Sequence, residues 1–558
     1  MKRYSFLIIL FFIVPIINYA QKPDTTKKYD ERVIVVGEYK PELPDLAKPV
    51  LQPTLEEEKI DKRQLQYSIF PHPIFITYTP SILQPIKLGK EPIDHINSNY
   101  AKFGLGNKMA EWHLSMANSI KTKTNYGVAY DGNGFYGKIS DYGKPNHWEH
   151  NINGYVEWIK NKFTLTLSAG YQAKIIHYYG FRQSEYPDDT LTKKDYLQRY
   201  NLMNFDFNAV TNTTNTNDLK QEYNITGTFI PTYLKNSEYR IGASADIYQN
   251  VKWLPFKNII QTPGFFLKYN HYFEDNTLEK YNFGVLNTLF SYQLQDKIWS
   301  LKLGATIDVI ADTIGKVRVF PYIAGKLIFV PEIFELHAKY GSFTDVYSLD
   351  SLYHVNPFIH QYIKPNPVIW RQYFSGSLVS TLFDHLHFEI GAIYGKTNEY
   401  AYYVNDIVFR PYTRFNVIYD TTTALVPFAN VKYYDDKLNI NFRIKYNYLE
   451  TTSEDKPWHE PNIISTFDIK YLFAKKFLVG TDISFIGKRY ACQINPDFTT
   501  ATIELSPFVD WNAHVEYLFN KSLSFYLNVY NLLSKPQYYY WHLPSYKINF
   551  IAGVTYNF

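Results

Sequence analysis

His385 and His387 stand two apart, the most metal-like spacing in the chain. In a strand, side chains at i and i+2 share a face, so the two imidazoles could meet one cation. Without a third ligand a lone His-x-His is a weak site, and beside the turn expected at Phe383-Asp384 it reads as an interfacial pair. His147 and His150 cannot share a strand face. Cys492, the single cysteine, makes no intrachain disulfide, CxxC site or redox pair, and reads as a small buried or lipid-facing residue. No G-x-S-x-G, H-E-x-x-H or P-loop pattern occurs. The chain is therefore expected to be neither an enzyme nor a holder of cofactors or metals.

Three other groups of residues point to binding rather than bond-making. The run Tyr538-Tyr539-Tyr540-Trp541-His542 could stack on a sugar or receive a partner protein, and equally forms a mouth-facing interfacial cluster. Arg443, Lys445, Asp468 and Lys470 could line a permeation path or pair as salt bridges between neighbouring strands. Glu31–Gly37 contains Val33, Ile34, Val35 and Val36, an extended β-branched run of the kind that adds as a strand to a partner's sheet.

The elements that must position these residues follow from composition and periodicity. The 558 residues carry 57 Lys+Arg against 53 Asp+Glu, 18% aromatic residues and a mean hydropathy of −0.30. Abundant Tyr and Phe with average charge exclude a disordered chain, and the hydropathy excludes a helical membrane protein. The net charge of +4 falls to about +2 once Lys2 and Arg3 are assigned to a leader, so no nucleic-acid partner is implied. That leader is a basic start, an apolar run from Tyr4 to Ile17 and Asn18-Tyr19-Ala20. It reads as an export signal, residues 1–20, cleaved near Ala20, being too short and Pro-interrupted to span.

Beyond it the dominant signal is period two. Tyr546, Ile548, Phe550, Ala552, Val554, Tyr556 and Phe558 alternate with a mostly polar set, and similar alternation runs through 438–448 and 163–171. A soluble sandwich also alternates, but its strands average about five or six residues. These runs are roughly the 9–11 residues or longer that a tilted transmembrane strand needs, and aromatic residues gather at their ends as an interfacial girdle would. Short polar connections at 160–162, 295–297, 435–437, 474–476 and 520–521 read as periplasmic turns. Longer irregular pieces, among them 345–368, 397–421, 488–505 and 532–545, read as extracellular loops. Walking from residue 98 gives 22 runs, the first near 98–106 and the last near 546–558, with both ends on the same side. The expected fold is all-β: a transmembrane antiparallel barrel of about 22 strands (16 to 24) over residues 98–558, after an extended Pro-rich periplasmic or lumenal segment over 21–97.

The segment from Glu504 to Phe558, with Phe519-Asn520-Lys521, Val529-Tyr530-Asn531-Leu532-Leu533-Ser534-Lys535 and the final Val554-Thr555-Tyr556-Asn557-Phe558, resembles the closing strands of TonB-dependent receptor barrels of the Bacteroidota. The resemblance implies a Gram-negative outer-membrane protein in contact with outer-membrane lipid, with Tyr556 and Phe558 in the signal that barrel assembly machinery reads. Glu31–Gly37 is similar to the short box through which such receptors pair with TonB, and could instead dock another periplasmic protein. The chain departs from the family where a folded plug would stand: residues 38–97 hold nine of the 29 prolines and no strand run long enough for a plug sheet. Tyr39–Pro44 and Tyr67–Pro73 also resemble a plugless Bacteroidota outer-membrane family. The implied role is transport or export-associated; the alternative is a scaffold that docks periplasmic or surface partners in envelope biogenesis.

Overall fold

The computed structural model describes residues 99–118, 123–186, 191–213, 215–231, 237–275, 281–311, 315–331, 333–360, 362–383, 385–406, 413–494 and 499–558. The chain divides into two units, Met1–Gly89 and Lys90–Phe558, and every described residue belongs to the second. The expected export signal and the strand Val33–Val36 lie outside the described residues.

The described chain is one antiparallel barrel. Its first sixteen strands run from β1 (Tyr100–Gly106), β2 (Met109–Ala117), β3 (Thr124–Phe135), β4 (His147–Ile159), β5 (Phe163–His177), β6 (Leu197–Thr211), β7 (Lys220–Pro231) and β8 (Ser237–Tyr248) onward. They continue through β9 (Ile260–Asp275), β10 (Asn282–Gln295), β11 (Trp299–Ala311), β12 (Lys316–Val330), β13 (Phe334–Tyr347), β14 (Asn366–Leu382), β15 (Leu386–Asn405) and β16 (Phe415–Tyr434). β17 (Leu438–Tyr446) and β18 (Tyr448–Thr451) are two parts of one stave, since both pair with β16. After β19 (Ile463–Phe473) and β20 (Phe477–Ile486), a separate ribbon forms from β21 (Arg489–Ile494) and β22 (Thr500–Leu505). β23 (Phe508–Leu518) and β24 (Leu523–Tyr530) follow, then the small pair β25 (Tyr538–Tyr540) and β26 (Leu543–Pro544), and finally β27 (Asn549–Asn557). The sheet of 23 segments thus makes a barrel of 22 staves. Pairing of β1 with β27, from Tyr100↔Asn557 to Gly106↔Ile551, closes it, so the barrel sheet is a ring without a free first or last strand.

Period-two patterning explains the wall. On β27, Phe550 and Tyr556 are 47% and 48% exposed on the outer face, whereas Ile551 and Thr555 are 0% and 6% exposed on the inner one. Facing residues of paired strands share a side, so this parity propagates around the ring, as in Phe163, Leu165, Leu167, Ala169 and Tyr171 against Thr164, Thr166 and Ser168. Among the described residues no helix is long and apolar enough to cross a membrane; this barrel would cross with strands.

The two ends differ. At one, three-residue connections close the hairpins at 160–162, 296–298, 435–437 and 474–476. Asp435 Oδ1 accepts from the Lys437 and Leu438 amides at 2.7 and 2.8 Å, and Asn520 Oδ1 accepts from those of Ser522 and Leu523, both at 2.8 Å. Side-chain acceptors thereby satisfy turn amides that the ladder leaves over. Ala474 and Lys475 both take positive φ, 49° and 58°, the backbone twist that a tight hairpin turn needs. Longer segments gather at the other end. Four of them depart from the sequence reading, 488–505 as the β21–β22 ribbon and 532–545 by holding β25 and β26. Residues 397–405 and 415–421, expected as loop, are strand, and 345–368 contains the helix Leu349–Val355.

Candidate functional site: the lumen and its roof

The long-loop end is folded over the barrel mouth. β6 and β15 are nine strands apart in a ring of 22 and so lie nearly opposite each other. Yet Tyr200 of β6 and Tyr403 of β15 belong to one buried cluster, joined by Leu349, Leu352, Tyr353 and Ile359 of the segment between β13 and β14. A cluster with members on opposite walls must cross the mouth.

The helix Leu349–Val355 is its centre. Ser348 caps it by accepting from the Ser351 amide at 3.2 Å, and Leu349 N–H donates to Glu238 Oε2 at 2.7 Å, so β8 fixes the helix start. Leu349, Leu352 and Tyr353, at helical spacing, supply the apolar stripe. Tyr353 stacks on Tyr200, with ring centroids 4.4 Å apart at 12°, and the Tyr200 hydroxyl donates to Asp350 at 2.8 Å. From β5's side, Tyr178 OH donates to the Ile359 carbonyl at 2.9 Å; from β15, Tyr403 OH donates to that of Leu352 at 3.3 Å.

Three further loops lock onto this helix and its neighbours. Asp420, on the upper part of β16, accepts from the backbone amides of Thr452, Ser453 and Glu454 at 2.9–3.1 Å and so holds 452–462 in place. Arg489, 1% exposed, donates from Nη1 to the Gly487 carbonyl at 2.8 Å and from Nη2 to that of Tyr538 at 2.7 Å, pinning the β21–β22 ribbon to the last loop. Its guanidinium lies 5.0 Å from the Phe508 ring, and burial lowers its pKa to about 10, so it stays charged at neutral pH. His459 is 6% exposed; its Nδ1 meets the Tyr403 carbonyl at 2.8 Å and its Nε2 the Trp541 amide at 3.3 Å. A carbonyl needs a donor and an amide N–H needs an acceptor, so the neutral Nδ1–H tautomer is the one that satisfies both. Burial pushes this imidazole down to about 4, and Arg489 nearby adds to the effect. Burial pushes its neighbour Glu460 the other way, above the usual carboxylate range.

The expected site residues fall as follows. Of the aromatic run, Tyr540 is drawn into the roof, packing on Phe415, Tyr403 and His459 and donating to the Val355 carbonyl at 2.8 Å. Tyr538 contributes its carbonyl to Arg489 and Trp541 its amide to His459, while Tyr539, 52% exposed, faces outward against Phe508. The structure therefore brings the run to the mouth and divides it between core and surface. Arg443 and Asp468 meet across neighbouring strands at 3.8 Å, and Lys445 and Lys470 share their inward face. His387 Nδ1 meets Thr381 Oγ1 at 2.8 Å and its Nε2 meets Tyr434 OH at 2.9 Å, while His385 lies in the adjoining turn against Tyr433 and Tyr434. His147 and His150 point to opposite faces, as their spacing requires. Among the described residues no group of three or more His, Cys, Asp or Glu is placed to hold a metal. Cys492 is buried beside Tyr402, Val404 and Trp458. Tyr556 and Phe558 stack at 5.5 Å on the outer face beside the closing seam.

Sequence reasoning missed the roof helix, Arg489 and His459. The helix had a local signal, Ser348 before Leu349, Leu352 and Tyr353 at i, i+3 and i+4. The other two had none, because the partners that tie them into the roof, Tyr538 for Arg489 and Tyr403 and Trp541 for His459, are distant in sequence.

No family model matches the chain, and no curated protein does. Solved structures do. The FrpB iron transporter of Neisseria meningitidis matches with a TM-score of 0.62 at 10% identity over 83% of this chain and 82% of its own. The ferric-catecholate import receptor Fiu of Escherichia coli K12 gives 0.60 at 11% identity, over 83% and 82%. The pyoverdine outer-membrane receptor FpvA of Pseudomonas aeruginosa PAO1 gives 0.59 at 13%, over 82% and 78%. At such identities the likeness is one of fold: this chain has the barrel architecture of outer-membrane receptors.

Proposed function

We propose that this chain is an outer-membrane β-barrel of TonB-dependent-receptor-like type with a transport or export-associated role. The observation that carries the reading is a closed 22-stave barrel with an apolar outer face and a polar, charged inner one, in an architecture shared with outer-membrane receptors. On this reading the chain is exported with loss of residues 1–20, the short-turn end faces the periplasm and the long-loop end the cell surface. Residues 21–97 are an extended Pro-rich segment without a folded plug, in keeping with the plugless Bacteroidota family that Tyr39–Pro44 and Tyr67–Pro73 resemble, and Val33–Val36 add as a strand to TonB or another periplasmic protein. Tyr556 and Phe558 serve assembly, and the exposed Tyr539 is the part of the aromatic run open to a partner. The chemistry is passage and docking rather than catalysis.

The roof favours a second reading. A bulky solute arriving from the cell surface meets packed loops, whereas a scaffold that docks periplasmic or surface partners needs no open mouth. Affinity purification in mild detergent, comparing wild type with Val35→Pro, separates the two, because proline removes a strand donor. Loss of TonB alone from the variant supports uptake. A stable complex with other envelope proteins that survives Val35→Pro supports the scaffold.

A further inference from the structure

The inner face carries its charge unevenly. Along β10 to β17 the inward positions include Lys302, Lys326, Lys339, Lys432, Arg443 and Lys445. On the wall running from β20 through the seam to β4 they include Asp482, Asp510, Glu516, Glu111, Asp131 and Glu149. Many of those carboxylates are matched locally: Glu111 with Lys102 at 2.9 Å, Glu149 with Lys174 at 3.3 Å, Asp482 with His514 at 3.7 Å. The basic wall is less completely matched.

Its centre is a recess of about 500 Å³ facing the lumen, lined by Lys302, Lys326, His337 and Lys339 together with Tyr373 and Phe428. Glu335 is already engaged, 2.7 Å from Lys326 and 3.0 Å from His337. Glu389, the other carboxylate there, accepts from Asn430 at 3.3 Å. Among the described residues no carboxylate comes within ion-pair distance of Lys302 or Lys339. Lys339 instead lies 5.7 and 5.6 Å from the rings of Tyr322 and Tyr373. Two cations without counterions at an apolar-aromatic recess offer charge at one edge and ring faces at the other. The volume suits a small organic molecule, and pockets of this kind pair an apolar floor with a few placed polar groups.

We propose that this recess binds an amphipathic anion, a carboxylate or phosphate on an aromatic or apolar body, with Lys302 and Lys339 holding the charged group and Tyr373 and Phe428 the body. Ser300 and Lys302 lie within four residues of the start of β11, so the recess sits toward the short-turn end, below the roof. On the orientation proposed above, it is reached from the periplasm. The inference rests on that reading for its direction of access, but the binding itself does not.

The test uses the full chain in dodecyl maltoside and three probes with one aromatic body: 4-nitrophenyl phosphate, 4-nitrobenzoate and the neutral 4-nitrophenyl glucoside. Equilibrium dialysis should show the phosphate or the benzoate bound at least tenfold more tightly than the glucoside, with affinity falling as salt rises. Lys302→Gln with Lys339→Gln should cost tenfold or more, Lys302→Arg with Lys339→Arg should retain binding, and Lys268→Gln, at an inward lysine of β9 outside the recess, should change it less than twofold. Heat-modifiable gel mobility checks that each variant is folded. Equal binding of the glucoside, no binding of either anion, or an equal loss in Lys268→Gln would overturn the proposal. Anion binding without any flux in vesicles would leave the site standing and sink the transport reading instead.

Discussion

The two ends of this barrel are built by opposite means. The 212–219 and 249–259 connections apart, which Gln249 and Asn250 tie to each other, the described hairpins at the short-turn end are closed by residues next to one another in sequence, as when Asn520 satisfies the amides of Ser522 and Leu523. At the long-loop end, closure depends on residues brought together from across the chain: Tyr178 with Ile359, Tyr403 with Leu352, Tyr540 with Val355. Local closure makes each turn nearly independent of the next. The roof is cooperative, because each loop is held by others, so damage at one point should release several.

The largest effect contrasts assembly with the roof. Replacing Tyr556 and Phe558 together by Ala removes two aromatic side chains from the outer face beside the β1–β27 seam, each contributing about 1.5–3 kcal/mol when taken out of water. Membrane-inserted protein should fall several-fold by heat-modifiable gel mobility, whereas Lys547→Ala, exposed and ahead of β27, should leave it unchanged. Equal losses would show that the seam aromatics have no special part in assembly.

A smaller effect separates the ends by pH. His459 is held neutral by burial, with a pKa of about 4 against an ordinary 6.5. Over that window the opened roof binds more protons than the closed one, so closure is fully stable above about pH 6.5 and weakens as pH falls toward 4. A protonated ring also turns its Nε2 acceptor into a donor facing the Trp541 amide. Glu460, raised by burial, contributes the opposite slope. Roof opening, read as the labelling rate of a lumenal thiol divided by that of an exposed surface thiol so that the loss of thiolate at low pH cancels, should rise on the order of tenfold between pH 7 and pH 5. In His459→Gln the rise should vanish, leaving only the Glu460 slope. The smallest effect expected is Asn520→Ala, which should cost about 1 kcal/mol by urea unfolding and leave labelling from outside unchanged.

The same contrast explains what could be read from the sequence. Every one of the 22 runs lies on a stave, because a wall with lipid-type residues on one side and polar ones on the other alternates strictly. The longest misjudged stretches of the barrel wall are the tops of β15 and β16. There Ala401 and Tyr403 enter the cluster around the roof helix, while Tyr402 and Val404 pack with Trp458 and Cys492 on the opposite side. A strand buried on both faces loses its alternation and reads as an irregular apolar run. Arg443 and Asp468 were legible as lumenal because they sit in clean period-two strands. Lys302 and Lys339 share that parity, yet their convergence on one recess depends on register across β11, β12 and β13, which no single run encodes.

The central claim is that the barrel's own loops close its mouth, and access to a thiol in the lumen tests it most directly. In a Cys492→Ala background, Ser244→Cys places a thiol on the inward face of β8, between Asn224 and Lys268. Tyr539→Cys places one on the outer surface of the roof. A membrane-impermeant maleimide added to intact cells should label Tyr539→Cys quickly and spare Ser244→Cys. Adding Tyr353→Ala, which empties the centre of the roof at a cost of roughly 3–5 kcal/mol, should expose Ser244→Cys. Labelling of Ser244→Cys as fast as Tyr539→Cys with Tyr353 intact would contradict the account.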